Sequence, residues 1–136
     1  MDNLLFRIEL RPNNPYGIVS IPIINGQSLI EIIKEIEINY EPQIAGAYDG
    51  IRPDLLLEEL CNGSYHDTTK SKILECECGA DGCWSLLMKI TKTENSIVWS
   101  NFNQLHRESW DYSHLKSFEF DIQEYKVALR QLRNAI

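Results

Sequence analysis

Ile73-Leu74-Glu75-Cys76-Glu77-Cys78-Gly79-Ala80-Asp81-Gly82-Cys83-Trp84-Ser85-Leu86-Leu87-Met88-Lys89-Ile90 decides the fold: two stretches of strand composition flank a glycine-bearing turn that collects three of the chain's four cysteines. Lys72 to Cys78 and Trp84 to Lys92 read as strands, with a tight turn over Gly79 to Cys83. A third strand, Ile97 to Phe102, follows a turn around Glu94-Asn95, giving an antiparallel meander. Strand alternation puts Leu74, Cys76 and Cys78 on one face, so both cysteines are expected to point inward. Register decides the role of the third cysteine. Pairing Cys78 with Trp84 sets Cys76 opposite Leu86 and Leu74 opposite Met88, and the apolar faces of the two strands coincide. Pairing Cys78 with Cys83 would permit a cross-strand disulfide but would turn Trp84, Leu86, Met88 and Ile90 to the opposite face. The first register is preferred.

Outward from the meander, Leu4 to Arg11 and Gly17 to Ile24 have strand composition around a turn-rich Pro12-Asn13-Asn14-Pro15, which predicts an N-terminal hairpin. Pro22 predicts that its second strand is an edge or is bulged. Ser28-Leu29-Ile30-Glu31 fits a capping box and opens a helix over 29–40, with Leu29, Ile32, Ile33, Ile36 and Tyr40 on one face. Gln43 to Asp54 reads as loop, and Pro53 to Leu60 as a short helix with proline in its first turn. At the far end Asp121 caps a helix, Phe120 staples onto Tyr125, and Ile122, Tyr125, Leu129, Leu132 and Ile136 form its apolar stripe. The expected fold class is therefore α+β. One domain over residues 1–136 packs an N-terminal hairpin and a three-stranded meander against a helix in each half.

With 136 residues, 43% of them apolar, the chain can build a core without metal or disulfide help. No basic stretch leads into a long apolar run and no apolar window approaches membrane-spanning length, so the reading is a cytoplasmic protein with no membrane partner. The formal charge of −7 lies almost wholly in residues 1–60, which hold ten acidic and four basic side chains. Such a field repels phosphate backbones, which argues against nucleic acid, and it steers a basic protein partner.

Two constellations carry chemistry. Cys76, Cys78 and Cys83 offer three thiolates in C-x-C-x4-C spacing, so a zinc site needs a fourth ligand from Cys61 or His106, or else from His66 or His114. The same cysteines could serve a thiol-dependent enzyme or redox protein, with Cys83 the accessible thiol and His106 its base. The second constellation is Asn103-Gln104-Leu105-His106-Arg107-Glu108-Ser109-Trp110-Asp111-Tyr112-Ser113-His114. Arginine, tryptophan and tyrosine are hot-spot residues, which makes His106, Arg107, Trp110, Asp111 and Tyr112 candidates for a binding surface. Equally, Trp110 and Tyr112 could anchor a long loop while Arg107 and Asp111 pair locally.

Cys76-x-Cys78-Gly79-x-x-Gly82-Cys83-Trp84, Trp99-Ser100-x-Phe102, Gln104-x-His106-Arg107-x-x-Trp110-Asp111-Tyr112-Ser113 and Phe118-x-Phe120-Asp121-x-x-x-Tyr125 together resemble a family of small uncharacterised bacterial proteins. The likeness spans about Ile73 to Leu132. Ser85 and Leu105 stand where that family often has proline. The resemblance implies a bacterial origin and one site shared by the cysteine turn and the His106 loop, and it brings no established activity. The leading expectation is a non-enzymatic, acidic, protein-binding or regulatory domain of the kind immunity proteins represent. A thiol enzyme and a zinc-stabilised module are the alternatives.

Overall fold

The computed structural model describes residues 1–12, 17–64, 69–78 and 84–136. The hairpin tip at 13–16, His66, and the turn at 79–83 with Cys83 lie outside the described residues.

Leu4–Arg11 (β1) and Gly17–Ile24 (β2) pair antiparallel in unbroken register, from Leu4 opposite Ile24 to Arg11 opposite Gly17. Gln27–Ser28 (β3) adds to the far side of β2 only at Ile23 and Ile24, so β2 is not bulged against β1, and among the described residues Pro22 lies where no strand pairs with the outer side of β2, the edge position expected of it. The reason lies in the pleat. The N–H of Phe6, opposite Pro22, turns away from β2 and donates to Gln131 Oε1 at 3.0 Å. The position where Pro22 lacks an N–H therefore faces away from β1, and β3 pairs only with Ile23 and Ile24, so no ladder bond is lost.

Ser28 ends β3 and caps Leu29–Glu37 (α1), its Oγ accepting the Ile30 N–H at 3.1 Å. The helix is shorter than the expected 29–40, ending in turns that carry Tyr40, which is exposed. Tyr48–Asp49 (β4) follows within the stretch expected to be loop. Pro53–Asn62 (α2) begins on proline as expected, since the first turn of a helix has no use for that N–H.

The meander is part of a larger sheet. Ser71–Cys76 (β5), Leu86–Lys92 (β6) and Ser96–Gln104 (β7) are flanked by β4 on one side and Phe118–Asp121 (β8) on the other, in the order β4-β5-β6-β7-β8 and antiparallel throughout. The preferred register of the sequence is corrected by two residues: Leu74 lies opposite Leu86, not Met88. An irregularity between Lys72 and Leu74 then sets Ser71 opposite Met88. Because the slip is even, Leu74 and Leu86 still share a face. All six residues of β5 are buried, as befits a strand covered on both sides. Cys76 is inward as expected. Cys78 is not: β5 stops at Cys76, and Cys78 is exposed in the turn beyond.

Ile122–Asn134 (α3) starts as its sequence demands, Asp121 Oδ2 accepting the N–H groups of Gln123 and Glu124. Phe120 lies 6.0 Å from Tyr125, the stapled pair, and Trp99 packs edge-on against both. Ile136, read as part of the apolar stripe, is exposed, because the helix ends before it. Leu29, Ile33, Leu56, Leu74, Leu86, Trp99, Phe120 and Leu132 belong to one core shared by both sheets and all three helices. The sheets are tied by Ser20, whose N–H bonds to Ile51 O at 2.8 Å, and by Asp2, whose N–H bonds to Glu119 O at 2.8 Å. Among the described residues no helix is long and apolar enough to cross a membrane.

Asp121 closes two otherwise open N–H groups, so Asp121→Ala is expected to cost about 1 kcal/mol, read as a lower urea midpoint at unchanged slope. A midpoint equal to wild type would remove the cap from the account.

Candidate functional site

α1 buries Leu29, Ile33 and, one further step of four along the same stripe, Glu37. Glu37 is fully buried, and its carboxyl group is the acceptor for donors from four places in the chain. Gly46 N–H reaches Oε1 at 2.9 Å. The hydroxyls of Tyr48 and Tyr112 both donate to Oε2, the second at 2.5 Å. Gln104 Nε2 stands 3.5 Å from the same oxygen and donates to Tyr48 Oη at 2.7 Å. A buried carboxyl without a cation is tolerable only when its lone pairs are filled in this way.

Local backbone chemistry makes the arrangement possible. Gly46 has φ +70°, and a Cβ there would stand 2.9 Å from Lys34 Cβ, so the turn that aims its N–H at Glu37 needs glycine. The next residue, Ala47, offers its carbonyl to Trp84 Nε1 at 2.9 Å, and Tyr48 pairs with Cys76 across β4 and β5. Three consecutive residues thus join α1, the Trp84 side of the cysteine turn, and the central sheet.

The network reaches the surface through Gln104. With its amide nitrogen engaged by Tyr48 and Glu37, its oxygen faces outward and accepts Arg107 Nη1 at 2.8 Å. Arg107 Cζ lies 5.1 Å from the ring centroid of Trp84 and 5.1 Å from that of Trp110, a double cation–π contact. Trp110 stacks on Tyr40 at 5.5 Å, and Tyr40 Oη accepts the Asp111 N–H at 2.9 Å. A groove of about 400 Å³ between α1 and the loop is lined by Ile32, Ile36, Tyr40, Asp111 and Leu115. A second, of about 550 Å³, lies on the β7 side, against Lys70, Asn103, Glu108, Trp110 and Tyr112.

The residues singled out in the loop divide by role. Arg107 and Trp110 come together with Trp84 at the surface, whereas Tyr112 is buried on Glu37 and holds the loop from below. Arg107 does not pair with Asp111, as a local ion pair would require. Asp111 is exposed, and Ser113, through its backbone N–H and then its hydroxyl, holds that carboxyl below the usual range. His106 is exposed in a left-handed conformation, φ +70°. Sequence reasoning missed Glu37, Gly46 and Tyr48 as site residues and held Gln104 only as a member of the loop segment. The visible signal was an acidic residue in phase with Leu29 and Ile33.

At the cysteines, Cys76 Sγ and Cys78 Sγ are 2.9 Å apart and the Cys78 N–H points at Cys76 Sγ, 3.4 Å away. Among the described residues neither Cys61, exposed on α2, nor His106 joins these two in a group able to hold a metal ion. Ser85 Oγ is buried and has no partner among the described residues. No family model, no curated protein and no solved structure matches the chain.

Removing the common acceptor strands two hydroxyls and an amide N–H in the interior, so Glu37→Ala is expected to destabilise by roughly 3 kcal/mol or more, with Glu37→Gln milder. Urea unfolding checks this, and a loss under about 1 kcal/mol would show that the network is dispensable. Burial above all, then the facing Glu37 carboxyl for Tyr48 and the Tyr48 hydroxyl for Tyr112, pushes both phenols far above their ordinary range. Burial does the same for Tyr125. Acids with raised folded pKa values stabilise fully below the unfolded value of about 10 and lose that contribution as pH climbs beyond it. Stability should therefore fall above about pH 10, with these three of the six tyrosines ionising only on unfolding. Phenolate absorbance showing all six titrating in the folded protein would contradict it.

Proposed function

We propose that the chain is a protein-binding or regulatory domain of the kind exemplified by immunity proteins, and that it engages its partner through the Arg107, Trp84 and Trp110 surface. The observation that carries this reading is that the surface is held from within. Arg107 is fixed by Gln104, Gln104 by Tyr48, and Tyr48 by Glu37, while Trp110 is fixed by Tyr40. Binding through such side chains sacrifices little conformational entropy, which is where interfaces gain affinity. The grooves on either side of the loop give a partner relief to fill, and the acidic first half steers a basic partner toward the protein. A second reading, a dithiol redox protein, draws on the proximity of the Cys76 and Cys78 sulfurs.

Affinity capture from extracts of the native host tests the first reading, with wild type beside Arg107→Ala and Trp110→Ala. Both variants should unfold cooperatively yet lose the captured partner by tenfold or more, as truncation of a hot-spot residue worth about 2 kcal/mol does. A partner retained by both folded variants, or none recovered by wild type at any salt concentration, would count against it.

A further inference from the structure

Arginines in this protein show what Arg107 lacks. Arg11 holds Asp49 side-on, Nε to Oδ2 and Nη2 to Oδ1, each at 3.0 Å. Arg52 holds Asp54 in the same way, Nε to Oδ1 at 2.5 Å and Nη2 to Oδ2 at 2.8 Å. Parallel N–H donors on one edge of the guanidinium match the two oxygens of a carboxylate, and the paired bond is both strong and directional.

At Arg107 that edge is open. Only Nη1 is engaged, and its acceptor is the neutral amide of Gln104. Among the described residues no carboxylate pairs with Arg107, although Glu108 and Asp111 are close in sequence and the chain is acidic. Glu108 is exposed, and Asp111 is committed to Ser113. Ser85 Oγ is the single buried polar side-chain atom without a partner among the described residues, so the unengaged Arg107 nitrogens meet solvent. Trp84 and Trp110 each pack against the guanidinium of this half-buried residue, and a hydrogen bond made at its remaining edge is stronger for their apolar neighbourhood. The result is a fixed, partly dehydrated cation with a vacant two-pronged donor.

We propose that the Nε–Nη2 edge of Arg107 binds a carboxylate, presented by an acidic side chain of a protein partner. The inference rests on reading this loop as a partner surface and names the group that the surface selects. A carboxylate fits because its two oxygens match the parallel N–H donors, as Asp49 and Asp54 do at Arg11 and Arg52.

The test uses the full chain and acetate as probe, followed by proton–nitrogen NMR of the Arg107 Nε–Hε group, assigned through bonds from its own backbone. Acetate should move that resonance downfield in a saturable way, and the Trp84 and Trp110 Nε1–H resonances should move with it. Chloride at matched ionic strength should produce only a small linear drift. Arg107→Lys keeps the charge but removes the fork, and there the acetate-dependent movement of both tryptophans should vanish. The assignment to carboxylate is overturned if acetate follows the chloride line, if inorganic phosphate saturates the site at lower concentration than acetate, or if the tryptophan shifts persist in Arg107→Lys. The wild-type titration is decisive by itself should the lysine variant not fold. A silent Arg107 together with Arg107-dependent capture of a partner would remove the carboxylate and leave the surface standing. Saturable acetate binding without any captured partner would do the reverse.

Discussion

Glu37 carries a carboxyl group into the interior with no cation beside it among the described residues, and the surrounding chain is arranged to make that bearable. Isolated burial of such a group costs far more than any single hydrogen bond returns. The compensation comes from Gly46, Tyr48, Gln104 and Tyr112, which belong to a turn, a two-residue strand, the end of β7 and a long loop. Tyr48, Tyr112 and the Phe102 end of β7 also pack into the hydrophobic core, and the carboxyl group adds a common polar anchor to them. Each of the four segments aims a donor at the same carboxyl group, so one acceptor on α1 ties together four pieces of chain that are distant in sequence.

That constraint has a direction, from core to surface. Gln104 presents its amide nitrogen inward because Tyr48 and Glu37 are acceptors, and an amide so oriented can present only its oxygen outward. Arg107 takes that oxygen, and the two tryptophans close over the guanidinium. Trp84 itself is tied to the carbonyl next to Gly46, the same turn that feeds Glu37. The exposed surface therefore inherits its order from the buried carboxyl. A change at Glu37 would be felt at Arg107 without any contact between the two side chains.

How much of this was legible depends on the range of the interaction involved. The hairpin of β1 and β2, the serine cap of α1, the proline start of α2 and the cap and staple of α3 are settled within a few residues, and each appears where its sequence places it. β4 and β8 were not legible as strands, because two and four residues carry too little periodicity and owe their conformation to the strands they pair with. The register of β5 on β6 was misjudged for the same reason: an irregularity at Lys72 to Leu74 is invisible to alternation, and the strand ends at Cys76 instead of Cys78. At the site, the residue types of the His106 loop pointed to the right segment. What joins it to the fold is nonlocal, since Glu37 and Tyr112 are 75 positions apart, and only the phase of Glu37 with Leu29 and Ile33 hinted at it.

The acidity of the chain and the chemistry of Arg107 act on different scales and need not favour the same partner group. Net charge works through the summed field, which extends about 8 Å at physiological ionic strength and governs how often a partner arrives. The fork on Arg107 works over one hydrogen-bond length and governs whether an arriving surface fits. A partner with a basic rim and a single acidic side chain at its centre satisfies both, the rim answering the exposed Glu31 and Glu35 of α1 and Glu41 just beyond it, and the centre answering Arg107. A uniformly basic surface would be attracted and then held off, since it would set a second cation against the Arg107 guanidinium. Discrimination of that kind comes from the mismatch as much as from the match.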